Sequence, residues 1–451
     1  MTGEGNGGHA KMMSHARPIP SRGKLFRFGD AVMDGPVARF QFSCDRHGSF
    51  DETVDFEVMG TLPDSLLTLL HVALGVSTYK AAAAEEIVFP PLTPAGRRMS
   101  EALYTYGLAE FFVRSGLPYP SGTVFHGEII EAGESSLSWD GPPLVAFGGG
   151  KDSYVAGAIV ERALGEAPQF ASVVLSDAVA ATLSATAPSE LLFVNRALDP
   201  KLLDLKGAFS GHVPITAINL LVLTIASHLR GMGPVIFANE RSADEPTMTV
   251  GGQAANHQYS KSSEFEELLR NAVAEAAPGG PASFSVLRPY SELWIGRSFS
   301  SVKAAFPRFT SCNRNFRLAG DADQRWCGKC AKCAFTSLIL APFISAEEGQ
   351  AIFGRIMLNL DDLQGQYREL VGLADHKPWD CVGTIDECQA ALYLASKSAA
   401  WAETAAVKTL MPELLRQKTE GQLERQVAEA FAPEARGAVP TAFHQAAELF
   451  G

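Results

Sequence analysis

The sequence predicts an α/β protein built on a doubly wound parallel sheet, with an N-terminal α+β module before the sheet and helices after it. Between Pro142 and Leu287, short apolar runs alternate with segments of helical spacing. Continuous apolar strands that alternate with helices are typical of a parallel sheet covered on both faces. From Ser345 onward the chain is rich in Ala, Leu and Glu, which indicates a C-terminal helical cap.

The front of the chain carries two different patterns. Between Lys24 and Val58, apolar and polar residues alternate over two short stretches, Val37–Phe42 and Val54–Val58. Such alternation predicts a small antiparallel sheet. From Pro63 to Leu117 the spacing becomes helical, with a Pro-rich interruption at Phe89–Pro94, so this portion is expected to be an α+β module.

The central region supplies the strands and helices of the parallel sheet. The predicted strands are Leu144–Phe147, Ala171–Leu175, Leu191–Val194, Val235–Ala238 and Phe284–Leu287, and the predicted helices are Ser153–Leu164, Pro214–Arg230 and Ser260–Ala276. Sheets of this kind bind ligands at the carboxyl ends of their strands. The pattern places four polar or glycine residues there: Gly148, Asp177, Asn195 and Asn239.

Composition narrows the class of protein. The 451 residues are 46% hydrophobic and 20% charged, which is enough apolar material for a large core. A net charge of −12 disfavours an extended nucleic-acid surface. The first twenty residues contain no apolar signal-peptide region, and the longest apolar segment, Ile215–Ile225, is too short to span a bilayer. We therefore expect a cytoplasmic protein that neither inserts into membranes nor binds nucleic acid and acts on a small molecule.

The stretch Phe147–Ser153, here called the glycine loop, reads Phe-Gly-Gly-Gly-Lys-Asp-Ser between a predicted strand and a predicted helix. In that context backbone N–H groups and a helix N-terminus converge on an anion. A Walker A loop is excluded, because Val145 and Asp152 stand where it needs Gly and Ser or Thr. A dinucleotide fingerprint is excluded too, because Ser153 replaces its third glycine.

The order Gly-Gly-x-Asp-Ser resembles the PP-loop of ATP pyrophosphatases, which split ATP into AMP and pyrophosphate. The resemblance implies a PP-loop or HUP-like sheet whose glycines let the backbone approach phosphate. Lys151 would add positive charge, Asp152 would orient the loop or hold Mg²⁺, and Ser153 would donate a hydrogen bond. Gly148 stands where most members have Ser. The alternative is a plain glycine turn. The nucleotide-binding residues expected in this loop are Gly148, Gly149, Gly150, Lys151, Asp152 and Ser153.

Two further polar positions follow predicted strands. The segment Asn239–Glu245 reads Asn-Glu-Arg-Ser-Ala-Asp-Glu, and so many charges at the end of a strand indicate either a solvated loop or a site. From it we take Asn239, Arg241 and Asp244 as nucleotide-site candidates. Asp177 is expected either to contact ribose or Mg²⁺ or to cap a helix.

The cysteines predict a metal site. The chain has seven, of which Cys327, Cys330 and Cys333 have C-x-x-C-x-x-C spacing and follow Cys312. Four thiolates so spaced suit a tetrahedral structural Zn²⁺ site. The alternatives are reduced thiols brought together by chance, an iron–sulfur cluster, or a catalytic sulfur function.

Several stretches together resemble the MurL family of UDP-N-acetylmuramoyl-L-alanyl-L-glutamate epimerases. They are Gly75–Lys80, Phe147–Ser153, Gly211–Ala217, Asn239–Glu245, Asn256–Lys261, Ser311–Phe316 and His376–Gly383, and Asn256–Lys261 is the most family-specific. The resemblance implies ATP-dependent inversion of the terminal L-glutamate of a UDP-muramoyl dipeptide, for peptidoglycan synthesis. An acyl-adenylate would neutralise the carboxylate and make the Cα proton removable.

Inversion requires acid/base groups on two faces of the carbon, or one mobile group. The candidates within the family-like segments are Lys80, His257, Tyr259, Lys261, His376 and Cys381. A thiol of lowered pKa exchanges protons near neutrality. For Cys381 the residues alone nevertheless favour a buried inert thiol. His212 and His257 are equally candidates for binding substrate or stabilising a loop. Arg241, Arg288 and Arg314 either clamp the diphosphate and carboxylates or are structural.

These patterns divide the chain into a flexible tail (1–23), the N-terminal α+β module (24–140), a PP-loop ATP-binding domain (141–310), a cysteine segment (311–344) and a helical C-terminal region (345–451). Two alternatives stay open. One is a PP-loop enzyme that modifies tRNA or a deazapurine, and the other is a nucleotide-binding sensor without turnover. The sequence leaves the oligomeric state undetermined.

Overall fold

A computed structural model describes residues 20–316, 325–374 and 376–450. The strands are β1 (Leu25–Asp34), β2 (Val37–Cys44), β3 (Gly48–Asp55), β4 (Glu86–Val88), β5 (Val124–His126), β6 (Leu137–Ser138), β7 (Leu144–Ala146), β8 (Gln169–Val174), β9 (Leu191–Leu198), β10 (Val235–Phe237), β11 (Met248–Val250), β12 (Gln253–Ala255), β13 (Gly280–Pro281) and β14 (Ser283–Ser285). Ten of them form one mixed sheet in the order β14-β10-β7-β8-β9-β3-β2-β1-β4-β5, and most neighbouring pairs are parallel.

The helices are α1 (Asp64–Ala82), α2 (Pro94–Thr105), α3 (Ala109–Arg114), α4 (Lys151–Leu164), α5 (Asp177–Thr186), α6 (Ile215–Leu229), α7 (Ser263–Ala276), α8 (Glu292–Ser300), α9 (Ala331–Leu340), α10 (Ala346–Phe353), α11 (Asp361–Leu370), α12 (Ile385–Ser396), α13 (Ala405–Gln417), α14 (Glu420–Phe431) and α15 (Thr441–Glu448). The helical C-terminal region predicted from Ser345 onward is confirmed in the described residues.

The predicted parallel sheet is present as β14-β10-β7-β8-β9, in which β7 is central and the chain winds outward in both directions. Adjacent residues of β7 enter different cores: Val145 belongs to the core that contains residues of α4 and α8, and Leu144 belongs to the core that contains residues of α1 and α6. This alternation shows a sheet covered on both faces. The glycine loop follows β7, where the strand order reverses and ligand crevices form. The narrower PP-loop or HUP-like assignment stays a prediction.

The N-terminal strands extend the same sheet rather than forming their own. β1, β2 and β3 are antiparallel as predicted, but β3 also pairs antiparallel with β9, with Asp55 opposite Asn195. A buried ion pair fixes this junction, because Arg196 Nε lies 2.5 Å from Glu52 Oε1 and both side chains are 1% exposed. The domain bounds within this continuous sheet stay predictions.

Two local predictions were wrong. The strand expected at Val54–Val58 ends at Asp55, since Glu57 adopts a positive φ of 57° that extended strands do not use. Asn195 does not follow a strand. It lies inside β9, and its Nδ2 donates to Glu57 Oε1 at 2.9 Å.

Candidate active site

The glycine loop connects β7 to the first turn of α4. Gly149 has φ of 78°, and a Cβ there would lie 3.1 Å from Thr186 Oγ1, so both backbone and space favour glycine. The Gly148 N–H donates to Ser153 Oγ at 3.0 Å. A hydroxyl that accepts one bond still has its proton to donate. Ser153 therefore closes the loop and keeps a donor for an anion.

Lys151 and Asp152 form a buried charge cluster with Glu292 of α8. Lys151 Nζ contacts carboxylate oxygens of both Asp152 and Glu292, and the Lys151 and Glu292 side chains are each 3% exposed. Burial raises the pKa of Glu292 to about 8, against the influence of Lys151. Burial also opposes ionisation of Asp152, but Lys151 lowers its pKa overall. Lys151 is thus held between two carboxyl groups, of which Asp152 carries the balancing negative charge at neutral pH.

Cys381 lies at the end of a chain of titratable side chains. Its Sγ is 3.5 Å from His257 Nε2, and His257 Nδ1 contacts Glu110 Oε2. The same Glu110 oxygen lies 3.2 Å from His212 Nδ1. The three groups Cys381, His257 and Glu110 have the order of thiol, imidazole and orienting carboxylate that activates cysteines in enzymes.

The charges in this chain favour a thiolate beside an imidazolium. Burial raises the pKa of the Cys381 thiol, but Lys261 and His257 outweigh it and lower this pKa to about 6. Burial lowers the pKa of His257, but Cys381 and Glu110 raise it to about 10. Burial and the His257 charge lower the pKa of His212 to about 3. At neutral pH, His212 is therefore neutral and Cys381 is ionised.

Lys261 links this chain of groups to the glycine loop. It ends a short 3-10 helix, Tyr259–Lys261, and its carbonyl accepts a hydrogen bond from the fully buried Arg288 at 2.6 Å. Burial lowers the pKa of Lys261, but the negative charges of Cys381, Glu240 and Asp152 raise it overall. A half-buried ammonium thus lies within electrostatic reach of both Cys381 and the glycine loop.

The other predicted acid/base residues lie around this centre. Lys80 Nζ donates to the Gly211 carbonyl at 2.7 Å, next to His212, and burial together with Arg196 lowers its pKa to about 8. Burial raises the pKa of Tyr259, which lines a cleft of about 450 Å³ with Tyr106 and Tyr119. His376 is 67% exposed and lies 3.9 Å from Glu369.

The remaining nucleotide candidates mainly hold neighbouring elements. Asn239 Nδ2 donates to Ser285 Oγ at 3.0 Å, and Asp244 accepts from the Ser263 N–H at 2.6 Å. Arg241 binds the carbonyl of Ala432 at 3.0 Å and Glu434 at 2.9 Å. Arg241 and Asp244 also line a cleft of about 470 Å³ against α12 and α14.

Asp177 and the other predicted arginines lie apart from these contacts. Asp177 is exposed in the first turn of α5, whose N-cap is the neighbouring Ser176. Arg314 is exposed, whereas Arg288 is buried against Glu266 at 2.9 Å. Arg288 is therefore a structural residue in its observed contacts.

The four predicted metal ligands come together. All four Sγ atoms of Cys312, Cys327, Cys330 and Cys333, here called the cysteine cluster, lie within 4.8 Å of one another. Cys333 Sγ is 3.5 Å from Cys330 Sγ and 3.8 Å from Cys327 Sγ. Tetrahedral zinc with Zn–S of about 2.3 Å separates its sulfurs by about 3.8 Å. The donor set and spacing therefore fit a metal such as Zn²⁺.

Sequence reasoning missed Glu110 and Glu292. Both are single carboxylates on largely apolar helices, Glu110 between buried Ala109 and Phe111 on α3, and Glu292 before Leu293 on α8. A charge at a position of apolar spacing is the signal that would have found them, since buried carboxylates need partners.

Comparison with known proteins decides the family. The model for the MurL N-terminal domain matches residues 19–286, and the model for the MurL C-terminal domain matches residues 308–425. The chain belongs to the MurL family. No solved structure shows a significant match to it.

Three curated relatives carry the name UDP-N-acetyl-alpha-D-muramoyl-L-alanyl-L-glutamate epimerase. The protein of Micromonospora sp. is 41% identical over 77% of this chain and 78% of its own. That of Salinispora tropica is 40% identical over 77% and 76%. The protein of Xanthomonas oryzae pv. oryzae is 33% identical over 92% and 95%. The chain of the present structure is accordingly an isomerase of the epimerase class.

In the described parts of the chain, no helix combines the length and apolarity that a bilayer crossing requires. The cellular location stays a prediction.

Proposed function

We propose that this MurL-family protein inverts the terminal L-glutamate of UDP-N-acetylmuramoyl-L-alanyl-L-glutamate to D-glutamate, for peptidoglycan synthesis, and uses ATP to do so. The observation that carries the proposal is the contact between Cys381 and His257 beside Lys261, whose charge environment includes Asp152 of the glycine loop. This contact supports a single site in which a proton-transfer group acts beside an anion-binding loop. The names of the relatives support the substrate.

ATP is required because the Cα proton of a carboxylate is hard to remove. The carbanion would form next to an existing negative charge. In the proposed reaction the α-carboxylate attacks the α-phosphate of ATP, which forms the acyl-adenylate and releases pyrophosphate. The mixed anhydride is neutral at the carbonyl and accepts the electrons of the broken C–H bond. After reprotonation from the opposite face, water cleaves the anhydride and releases AMP.

The glycine loop is the proposed site of pyrophosphate release. Its glycines and the start of α4 offer backbone N–H groups to phosphate, and Ser153 retains a hydroxyl proton for donation. Asp152 is the proposed Mg²⁺ ligand. Since Lys151 is held by Asp152 and Glu292, binding of Mg²⁺ at Asp152 would release Lys151 towards the nucleotide.

Cys381 is the proposed base on one face of the glutamyl Cα. Its thiolate is stabilised by His257 and Lys261, and His257 is oriented by Glu110. Lys261 is the proposed acid on the other face, since its ammonium lies within electrostatic reach of Cys381 and, unlike His257, does not contact the thiol. Cys381 would take the proton as a thiolate, and Lys261 would deliver one as an ammonium.

The cysteine cluster is the proposed site of one structural Zn²⁺. Four thiolates close the coordination sphere, which leaves no position for substrate and favours a structural over a catalytic ion. Through the bound ion, the four cysteines would hold the segment around Cys312 against the segment that carries Cys327, Cys330 and Cys333.

The direct test is product analysis. Purified protein with the UDP-muramoyl dipeptide, ATP and Mg²⁺ should yield AMP, pyrophosphate and a product whose hydrolysate contains D-glutamate by chiral chromatography. AMP formation without a change of chirality would overturn the epimerase reaction but leave the ATP site standing. Inversion without ATP would overturn the adenylate instead.

A further inference from the structure

The cysteine cluster lies between the two halves of the proposed active site. Its first ligand, Cys312, belongs to a segment that contacts the glycine loop. The Thr310 N–H donates to the Gly149 carbonyl at 3.0 Å. Ser311 Oγ lies 2.8 Å from the position that a Cβ on Gly150 would take. Two residues of the glycine loop are therefore packed directly against the residues that precede a metal ligand.

The same segment also contacts the Cys381 loop. Asn313 Nδ2 donates to Asp380 Oδ2 at 2.8 Å. The other oxygen of Asp380 accepts the Cys381 backbone N–H at 2.9 Å. One carboxylate thus connects the residue after Cys312 to the backbone of the proposed base.

The cluster has two arms: residues 310–315, described above, and residues 325–335. The second arm also contacts both the glycine loop and the Cys381 loop. Helix α9 starts directly after Cys330, and its Phe335 ring lies 3.1 Å from where a Cβ on Gly383 would stand. Gly383 is two residues beyond Cys381. On the other side, the ring of Phe335 lies 5.8 Å from Lys151 Nζ. Both arms therefore reach the glycine loop and the Cys381 loop.

The two arms are joined to each other by hydrogen bonds that leave the cluster itself aside. Thr310 Oγ1 donates to the Arg325 carbonyl at 2.6 Å, and Asn315 Nδ2 donates to the same carbonyl at 2.8 Å. Such hydrogen bonds stabilise a protein less than a metal ion bound by four thiolates does. A bound metal would thus restrain the relative position of the arms more strongly than these hydrogen bonds do.

We infer that metal binding at the cysteine cluster sets the position of Cys381 relative to the glycine loop, so that the cluster is a positioning element of the active site as well as a stability element. The inference rests on the proposed function for what the two loops do. Its test uses neither ATP nor the muramoyl substrate, so a failure of this inference can be distinguished from a failure of the proposed function.

Cys330→Ser is the first variant, with Cys44→Ser, a buried cysteine on β2, as the matched control. Zinc content is measured by mass spectrometry of the metal, amide hydrogen exchange is followed in peptides covering 147–153, and iodoacetamide labelling is quantified in the Cys381 peptide. In Cys330→Ser, loss of zinc should be accompanied by exchange and labelling rates changed by about tenfold. The control should match wild type. Zinc loss with both rates within twofold of wild type would overturn the inference.

Asn313→Ala is a second variant, which leaves all four cysteine ligands in place. It tests the inference if Cys330→Ser fails to fold. The control is Asn359→Ala, which removes another exposed asparagine contact, to the Ala405 N–H. Zinc content should be normal in Asn313→Ala. The rate at which iodoacetamide labels Cys381, and the dependence of that rate on pH, should both differ from wild type. An unchanged profile would contradict a connection through Asp380.

Discussion

The Cys381 thiol lies 3.5 Å from Nε2 of His257, and this contact joins a segment near the start of α12 to the segment before α7. The two residues are 124 positions apart in the chain. A capping box fixes the Cys381 side, because Thr384 and Glu387 exchange hydrogen bonds of 2.8 and 3.0 Å at the start of α12. The Gln258 side chain bonds the Val382 carbonyl at 3.3 Å and holds the two segments together.

The pH profile of Cys381 tests this contact. Because the pKa of the thiol is lowered to about 6, alkylation of Cys381 should reach its plateau by about pH 7. Glu110→Gln removes the charge that helps keep His257 protonated, so the thiolate is less stabilised and its pKa should rise by about one unit. Glu101→Gln, which breaks an ion pair with Arg97, is the control. Identical profiles in wild type and Glu110→Gln would refute the role of Glu110.

Asp152→Ala should abolish pyrophosphate release, with a loss of at least about a hundredfold, because the carboxylate is the proposed Mg²⁺ ligand. Pyrophosphate is measured in a coupled assay with the muramoyl dipeptide and ATP. Asp204→Ala, at an exposed aspartate, should behave as wild type. Full release from the Asp152 variant would remove this residue from the metal site.

Gly150→Ala should weaken ATP binding by about tenfold, because the new methyl group would lie 2.8 Å from Ser311 Oγ and displace the loop. The backbone itself tolerates alanine, since φ is −87°. Ser311→Ala should restore affinity in the double variant, because the Ser311 Cβ lies 3.9 Å away. Calorimetric titration with ATP measures the affinity of the two single variants and the double variant. Additive losses in the double variant would show that the contact is not the cause.

Metal analysis should find one zinc per chain, lost in Cys327→Ser together with several degrees of thermal stability. The atoms of Glu110, His212 and His257 also lie within 4.8 Å of one another. A second equivalent of metal that is lost in His212→Gln would place an ion there and contradict the assignment of His257 as the partner of Cys381.

The sequence predicted the central sheet because its strands are short, apolar and flanked by helices. It could not predict that β3 pairs with β9, since nothing local specifies the register of Asp55 against Asn195. The charge pair between Arg196 and Glu52 that accompanies this junction is equally non-local.

The site was predictable in part. The four cysteines were found by spacing, and Cys381 and His257 by resemblance to the family, but their contact required the fold. Glu110 gave no such signal, because it is a single acidic residue on the short helix α3. Arg241 and Asp244 were chosen for their charge, yet their observed partners belong to α7 and the C-terminal region.

The most direct test of the account is deuterium exchange at the glutamyl Cα in D₂O. The central claim is that the glycine loop activates the substrate and Cys381 removes its proton. With ATP and Mg²⁺, the wild-type protein should incorporate deuterium at Cα, whereas Cys381→Ala should release pyrophosphate without incorporation. Exchange that persists in Cys381→Ala, or that proceeds in wild type without ATP, would contradict the account.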